Sequence, residues 1–145
     1  YAAGPAKLIG AMKKIQSQST SNPTSISQVA SQAALEGGND CVKDMVIAFK
    51  ERHNYVVAAL NDIKGVECIP ADGTFYAFPS FQHVIDNDDR FNNDIELAEF
   101  LLGEAGVALV PGSAFGAAGN MRLSFATSMD VLKDAIARIK KALES

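Results

Sequence analysis

The chain has no excess of positive charge, almost no cysteine and no long apolar run, and each lack removes a class of function. Its 13 basic and 17 acidic residues leave a formal net charge of −4. No basic run or Lys/Arg-rich stripe is present to neutralise phosphates, which argues against a nucleic-acid partner. No apolar stretch approaches the roughly 20 residues that a membrane-spanning helix requires, so no membrane association is expected. Cys41 and Cys68 show neither CxxC spacing nor nearby histidines, which argues against a metal site or a redox motif and suits a reducing, cytoplasmic setting. Internal repeats and low-complexity tracts are also lacking. The chain opens Tyr1-Ala2-Ala3-Gly4-Pro5 without an initiator Met, a charged n-region or an apolar h-region, and so reads as an internal piece of something longer.

What is present is ordinary for a globular protein: 48% hydrophobic and 21% charged residues over 145 positions, enough for one domain, or a domain with an appendage. Leu8, Ile9, Met12 and Ile15 recur at helical spacing over 6–16. The polar run 17–27 contains Asn22-Pro23 and reads as a loop, and a second helix is expected over 26–35, stopped by Gly37-Gly38. Asp40 is placed to cap a long amphipathic helix with Val42, Met45, Val46, Phe49, Val56, Leu60 and Ile63 on its apolar stripe, ending at Gly65.

Beyond Gly65 the pattern shortens to strands at 66–69 and 74–78, joined by the turn Pro70-Ala71-Asp72-Gly73. The polar run 86–94 reads as a loop. Asn93 with Glu96 is a capping pattern for a helix over 95–104, stopped by Gly106. Strands are expected at 107–110 and 121–126. Thr127 with Asp130 should cap a last helix that buries Leu132, Ile136, Ile139 and Leu143. The resulting order, strand-strand-helix-strand-strand-helix, is that of a small α+β domain preceded by a long bridging helix.

The candidate chemistry centres on Arg122. In Met121-Arg122-Leu123-Ser124-Phe125-Ala126 the apolar Met121, Leu123 and Phe125 share one face, while Arg122 shares the other with the small Ser124 and Ala126. A planar guanidinium with room around it suits bidentate capture of a carboxylate. The same pattern also fits an edge-strand arginine in a solvated ion pair.

Five ordered segments carry a resemblance: YAAGP at 1–5, SNPTSISQ at 21–28, GTFYAF at 73–78, ALVPGSAFG at 108–116 and MRLSFA at 121–126. Together they resemble the C-terminal part of a class I aminotransferase, most nearly the bacterial aspartate aminotransferases of the branch that includes prephenate-active enzymes. The resemblance spans essentially the whole chain. It implies the C-terminal portion of an α/β pyridoxal-phosphate-dependent transferase fold: residues 1–38 closing the large cofactor-binding domain, 39–65 the long interdomain helix, and 66–145 the small domain. It further implies that the complete enzyme moves an amino group between an amino acid, with aspartate the favourite, and a 2-oxo acid, as a homodimer. Pyridoxal 5'-phosphate would be held as a Schiff base by a lysine upstream of Tyr1, so the chain alone is expected to be inactive.

By the same resemblance Arg122 matches the arginine that binds the substrate α-carboxylate, and Phe75 a position near the substrate side chain. Phe75 is equally readable as core. Asn22 and Pro23 match a loop near the dimer interface and the active site, and are also readable as a simple turn. The sequence departs from dicarboxylate-specific relatives of the other branch, which carry an arginine shortly before the Asn-Pro turn; here Ser17 and Gln18 stand in that neighbourhood.

Other candidates are thin. The lysines all read as solvated and lack the apolar surroundings that make a lysine nucleophilic. Neither His53 nor His83 stands beside a nucleophile. The acidic run 86–89 with Asp94 lacks the ligand spacing of a calcium loop and reads as solvated. Gly112, Gly116 and Gly119 resemble a phosphate cradle only loosely, with no Lys-Ser/Thr and no helix after them. The alternative function is a non-catalytic α+β module that binds amino or keto acids or serves assembly.

Overall fold

The computed structural model describes residues 1–144, which divide into two compact units, 1–41 and 42–144. The first holds two helices, α1 (Ala6–Ser19) and α2 (Ser25–Glu36). Helix α1 runs a turn beyond the expected end, and within it the Ser17 hydroxyl donates to the Lys14 carbonyl at 2.8 Å, which satisfies a serine placed inside a helix. The loop shrinks accordingly to 20–24. There Ser21 takes a left-handed backbone (φ 65°), and Pro23 ends the run by offering its carbonyl to the Gln28 side chain at 2.8 Å.

Neither helix of this unit has a buried residue. Ile15, Ile26 and Leu35 are 72%, 80% and 78% exposed. Apolar surface left in water is an association surface. The 145-residue chain is therefore expected to self-associate or exchange segments between copies. Sedimentation should show mass rising with concentration; a monomer at high concentration, with residues 1–38 protected from proteolysis, would refute this.

In the second unit the long helix α3 spans Lys43–Asn61, with Val42 rather than Asp40 at its N-cap position and no side-chain cap. Asp40 instead opens a 3-10 turn, Asp40–Val42. The apolar stripe is also shorter than the sequence suggests. Val56 and Leu60, with Ile63 just beyond the helix, reach the core, whereas Met45 and Val46 are exposed. The helix packs on the last helix of the chain and on the first strand, and Phe49 in its first half lies against the core.

The sheet has three antiparallel strands in the order β1-β3-β2: β1 (Tyr76–Ala77), β2 (Val110–Pro111) and β3 (Met121–Ser124). Tyr76 faces Ser124 in the register, and Val110 faces Arg122. Only the pieces of the expected strands nearest β3 pair. The expected strand at 66–69 is a single bridge, Glu67 to Ser80. Its remaining ladder is taken by the Asn61 side chain, which accepts from the Cys68 amide and donates to the Cys68 carbonyl, both at 2.9 Å. The order strand-strand-helix-strand-strand-helix is thus corrected to one bridge, β1, two helices, β2, β3 and a last helix.

A helix that periodicity did not suggest, α4 (Gln82–Asp86), lies in this interval, held by the buried Phe81 and Ile85 one turn apart. Helix α5 (Asp94–Glu104) starts one residue early but carries the expected cap: Asn93 Oδ1 accepts from the amides of Ile95 and Glu96, each at 3.0 Å. Glu96 reaches back to the Asn92 amide at 2.8 Å, and these bonds hold its carboxyl below the usual range. Helix α6 (Met129–Glu144) is preceded by Ser128, whose hydroxyl accepts from the Val131 amide at 3.3 Å, so the Thr127–Asp130 cap is displaced by one residue.

The core lies where α3, α5 and α6 meet the apolar face of β3. Leu60, Leu97, Leu101, Met121, Phe125 and Ile139 are all essentially inaccessible there. Burial raises the Cys68 thiol above its ordinary range. No helix among the described residues is long and apolar enough to cross a membrane.

Candidate functional site

Alternation along β3 sends Met121 and Leu123 into the core and Arg122 out of it, half-buried. Strand β3 is central, so Arg122 is not an edge residue, and its neighbours come from the flanking strands and loops. Its guanidinium carbon lies 4.6 Å from the Tyr76 ring centroid and 4.7 Å from that of Phe115. The open face expected from Ser124 and Ala126 is thus flanked by two aromatic rings. Among the described residues no acidic side chain pairs with Arg122, in contrast to Arg90 with Asp88 and Arg138 with Asp134. A guanidinium held at its faces keeps its edge N–H groups available, and those are the groups that fork onto a carboxylate.

Phe75 adjoins this clamp. Its ring is 4.3 Å from Tyr76 and 6.4 Å from Phe49, and 42% of the residue is exposed, so it is not plain core. The aromatic row continues past Arg122 to Phe115 and Phe78, whose rings are 6.1 Å apart. Tyr76 and Phe115 were missed as neighbours of Arg122, and Phe49 as a neighbour of Phe75, although GTFYAF and PGSAFG held the first two in plain view. A groove of about 600 Å³ opens beside Phe75, lined also by Phe49, His53, Thr74 and Phe125.

Phe115 hangs from a 3-10 turn, Gly112–Phe115. The turn is fixed by Asp94, a buried carboxylate that accepts from the Ser113 amide at 2.7 Å. Asp94 therefore does not belong to a solvated acidic loop, and Asp88 is bound to Arg90 at 2.7 Å. Arg90 holds the Asp88 carboxyl below its usual range. The glycine run makes no outward nest: the Gly112 amide donates to the Asn120 carbonyl at 2.7 Å and the Gly116 amide to Ser113 at 3.1 Å. His83 contacts Asn87 on the surface of α4.

Asn22 and Pro23 lie in the loop 20–24 of the first unit, where the Asn22 side chain donates to the Pro23 carbonyl at 3.0 Å. Both are exposed, and their bonds are those of a turn.

A sequence profile of the aminotransferase class I and II family matches residues 1–139, and the chain belongs to that family. It is 49% identical over 99% of its length to an aspartate/prephenate aminotransferase of Nitrosomonas europaea, of which it covers 37%. It is 44% identical to an aspartate aminotransferase of Bacillus subtilis, covering 99% of this chain and 36% of that protein. The crystal structure of an aspartate aminotransferase from Rhizobium meliloti superposes with a TM-score of 0.88 at 43% identity, over 99% of this chain and 37% of that one. The chain thus spans little more than a third of the length of these relatives.

Pyridoxal phosphate, which the resemblance implies, needs a lysine in desolvated surroundings. No lysine among the described residues is buried, and Lys140, which is half-buried, is bound to Asp62 at 2.6 Å. The residues of this chain therefore do not by themselves make that site.

Proposed function

We propose that this chain is the C-terminal part of an aminotransferase that moves an amino group between an amino acid, with aspartate the first candidate, and a 2-oxo acid. In that reading the complete enzyme uses pyridoxal phosphate, which acts as an electron sink and is attached to a lysine outside this chain. The enzyme works as a cytoplasmic homodimer. Arg122 binds the α-carboxylate common to all substrates, Phe75 stands near the substrate side chain, and Asn22 and Pro23 form a loop at the dimer interface. Residues 1–38 finish the cofactor-binding domain, 39–65 form the interdomain helix and 66–145 the small domain.

The observation that supports this reading is the unpaired, aromatic-flanked guanidinium of Arg122. A cation half-removed from water without an acidic partner is matched by an anionic ligand. Tyr76 and Phe115 orient the fork, and the adjoining groove admits a side chain.

The chain alone is expected to form no stable adduct with pyridoxal phosphate. Mixing, dialysis and a visible absorption spectrum make the test. A band that survives dialysis and vanishes on replacing one lysine would show a cofactor site within these residues. For the enzyme itself, amino transfer from aspartate to a 2-oxo acid by the full-length protein is the direct assay; its lack with every amino donor would overturn the reading.

A further inference from the structure

We propose that His53 is a positioning residue: its ring clasps the turn that carries Phe75 and so sets where that aromatic side chain stands beside Arg122. The inference rests on the reading of Phe75 given under Proposed function.

The turn Pro70-Ala71-Asp72-Gly73-Thr74 is exposed throughout and has almost no packing of its own. Yet Thr74 adopts a left-handed backbone, φ 67°, which β-branched residues rarely do. Such a conformation persists only where its surroundings over-determine it. Two pins do so here. On the strand side the Phe125 amide donates to the Phe75 carbonyl at 2.9 Å, continuing the pairing of β1 with β3. On the helix side the Ala71 amide donates to His53 Nε2 at 3.0 Å.

His53 is itself held in place. It sits on α3 with its ring edge-on to Phe125, the centroids 5.8 Å apart, and Phe125 also supplies the strand-side pin. An Nε2 that accepts carries no hydrogen, which leaves the ring hydrogen on Nδ1, the atom 3.4 Å from Asn54 Oδ1. With its Nε2 lone pair engaged by a backbone amide, His53 is not a proton acceptor for a substrate. Its effect passes instead through the backbone to Thr74 and Phe75. Phe75 is in contact with Tyr76, and Tyr76 with Arg122, so a shift of the turn moves the side-chain wall of the site relative to the carboxylate fork.

The test uses the full-length enzyme and its variants His53→Leu, His53→Gln and Phe75→Ala. Leucine keeps an apolar contact with Phe125 and loses the acceptor; the glutamine Oε1 restores an acceptor at similar reach. Hydrogen exchange at the Ala71 amide should quicken by roughly tenfold or more in His53→Leu and return toward the parent rate in His53→Gln. The ratio of kcat/KM for aromatic over acidic donors should shift by roughly ten- to a hundredfold in His53→Leu, carried by KM, and be restored by glutamine. An unchanged exchange rate, or an unchanged ratio in His53→Leu when Phe75→Ala does move it, would overturn the clasp. Failure of glutamine to restore either readout would do the same. If Phe75→Ala itself leaves the ratio unchanged, the placing of Phe75 at the substrate side chain fails and the proposal falls with it. That failure is told apart by the variant in which it occurs.

Discussion

Replacing Arg122 with lysine in the full-length enzyme should lower kcat/KM by roughly tens- to thousands-fold for every amino donor, acidic and aromatic alike. Lysine keeps the charge but is a point donor. It loses the forked geometry that meets both carboxylate oxygens, and it cannot lie flat between the rings of Tyr76 and Phe115. A charge-assisted, desolvated bond of this kind is worth on the order of 2 to 5 kcal/mol. Because every donor shares the α-carboxylate, the loss should not depend on the side chain. Stability should fall far less, by about 1 to 2 kcal/mol for the two lost cation–π contacts, since the core is built from the opposite face of β3. Kinetics with aspartate and an aromatic donor, beside a melting curve, decide the matter. Unchanged efficiency in a folded variant removes Arg122 from the site, and a loss confined to acidic donors moves it to the side-chain end.

Gly112→Ala is expected to be the most damaging single methyl group in the Arg122 clamp. A Cβ at Gly112 would come within 3.0 Å of the carbonyl oxygens of Ala117 and Asn120, backbone atoms that already accept from the Asn120 and Gly112 amides respectively. Neither can rotate aside. The turn must shift, and with it the Ser113 amide held by Asp94 and the Phe115 ring held against Arg122. Overpacking of this kind costs about 3 kcal/mol, or roughly 12–24 °C in Tm for a unit of this size. Gly103→Ala is the control. It lies in α5 with nothing within 4 Å of the added carbon, and replacing glycine there should stabilise by about 0.5–1 kcal/mol. A Gly112→Ala variant that melts like the parent, or a Gly103→Ala variant that melts lower, would contradict this account of the turn.

How much of this could be read beforehand differs from element to element. Helices α5 and α6 follow their apolar spacing, and the Asn93–Glu96 cap was legible because capping is a contact between residues three apart. The strand at 66–69 was misread because its alternation is genuine, but its hydrogen-bonding partner is the side chain of Asn61, seven residues upstream, a competitor to which apolar alternation is blind. The first half of α3 was misread for a related reason. Its apolar stripe continues through Met45 and Val46, but the second unit offers nothing to cover them.

The same division holds at the site. Alternation along Met121–Ser124 determined by itself that Arg122 points away from the core, and the ordered motifs determined the family. Those are properties of neighbouring residues, whose geometry follows from the two-residue period of a strand and from local turn chemistry. Only the tertiary structure decided that β3 is the central strand, that Tyr76 and Phe115 close on the guanidinium from strand and loop, that Asp94 is buried to hold the Phe115 turn, and that His53 reaches the Ala71 amide. Each of these depends on which distant segments pack together. Periodicity records which side of an element is apolar, and carries no label for the partner that will cover it.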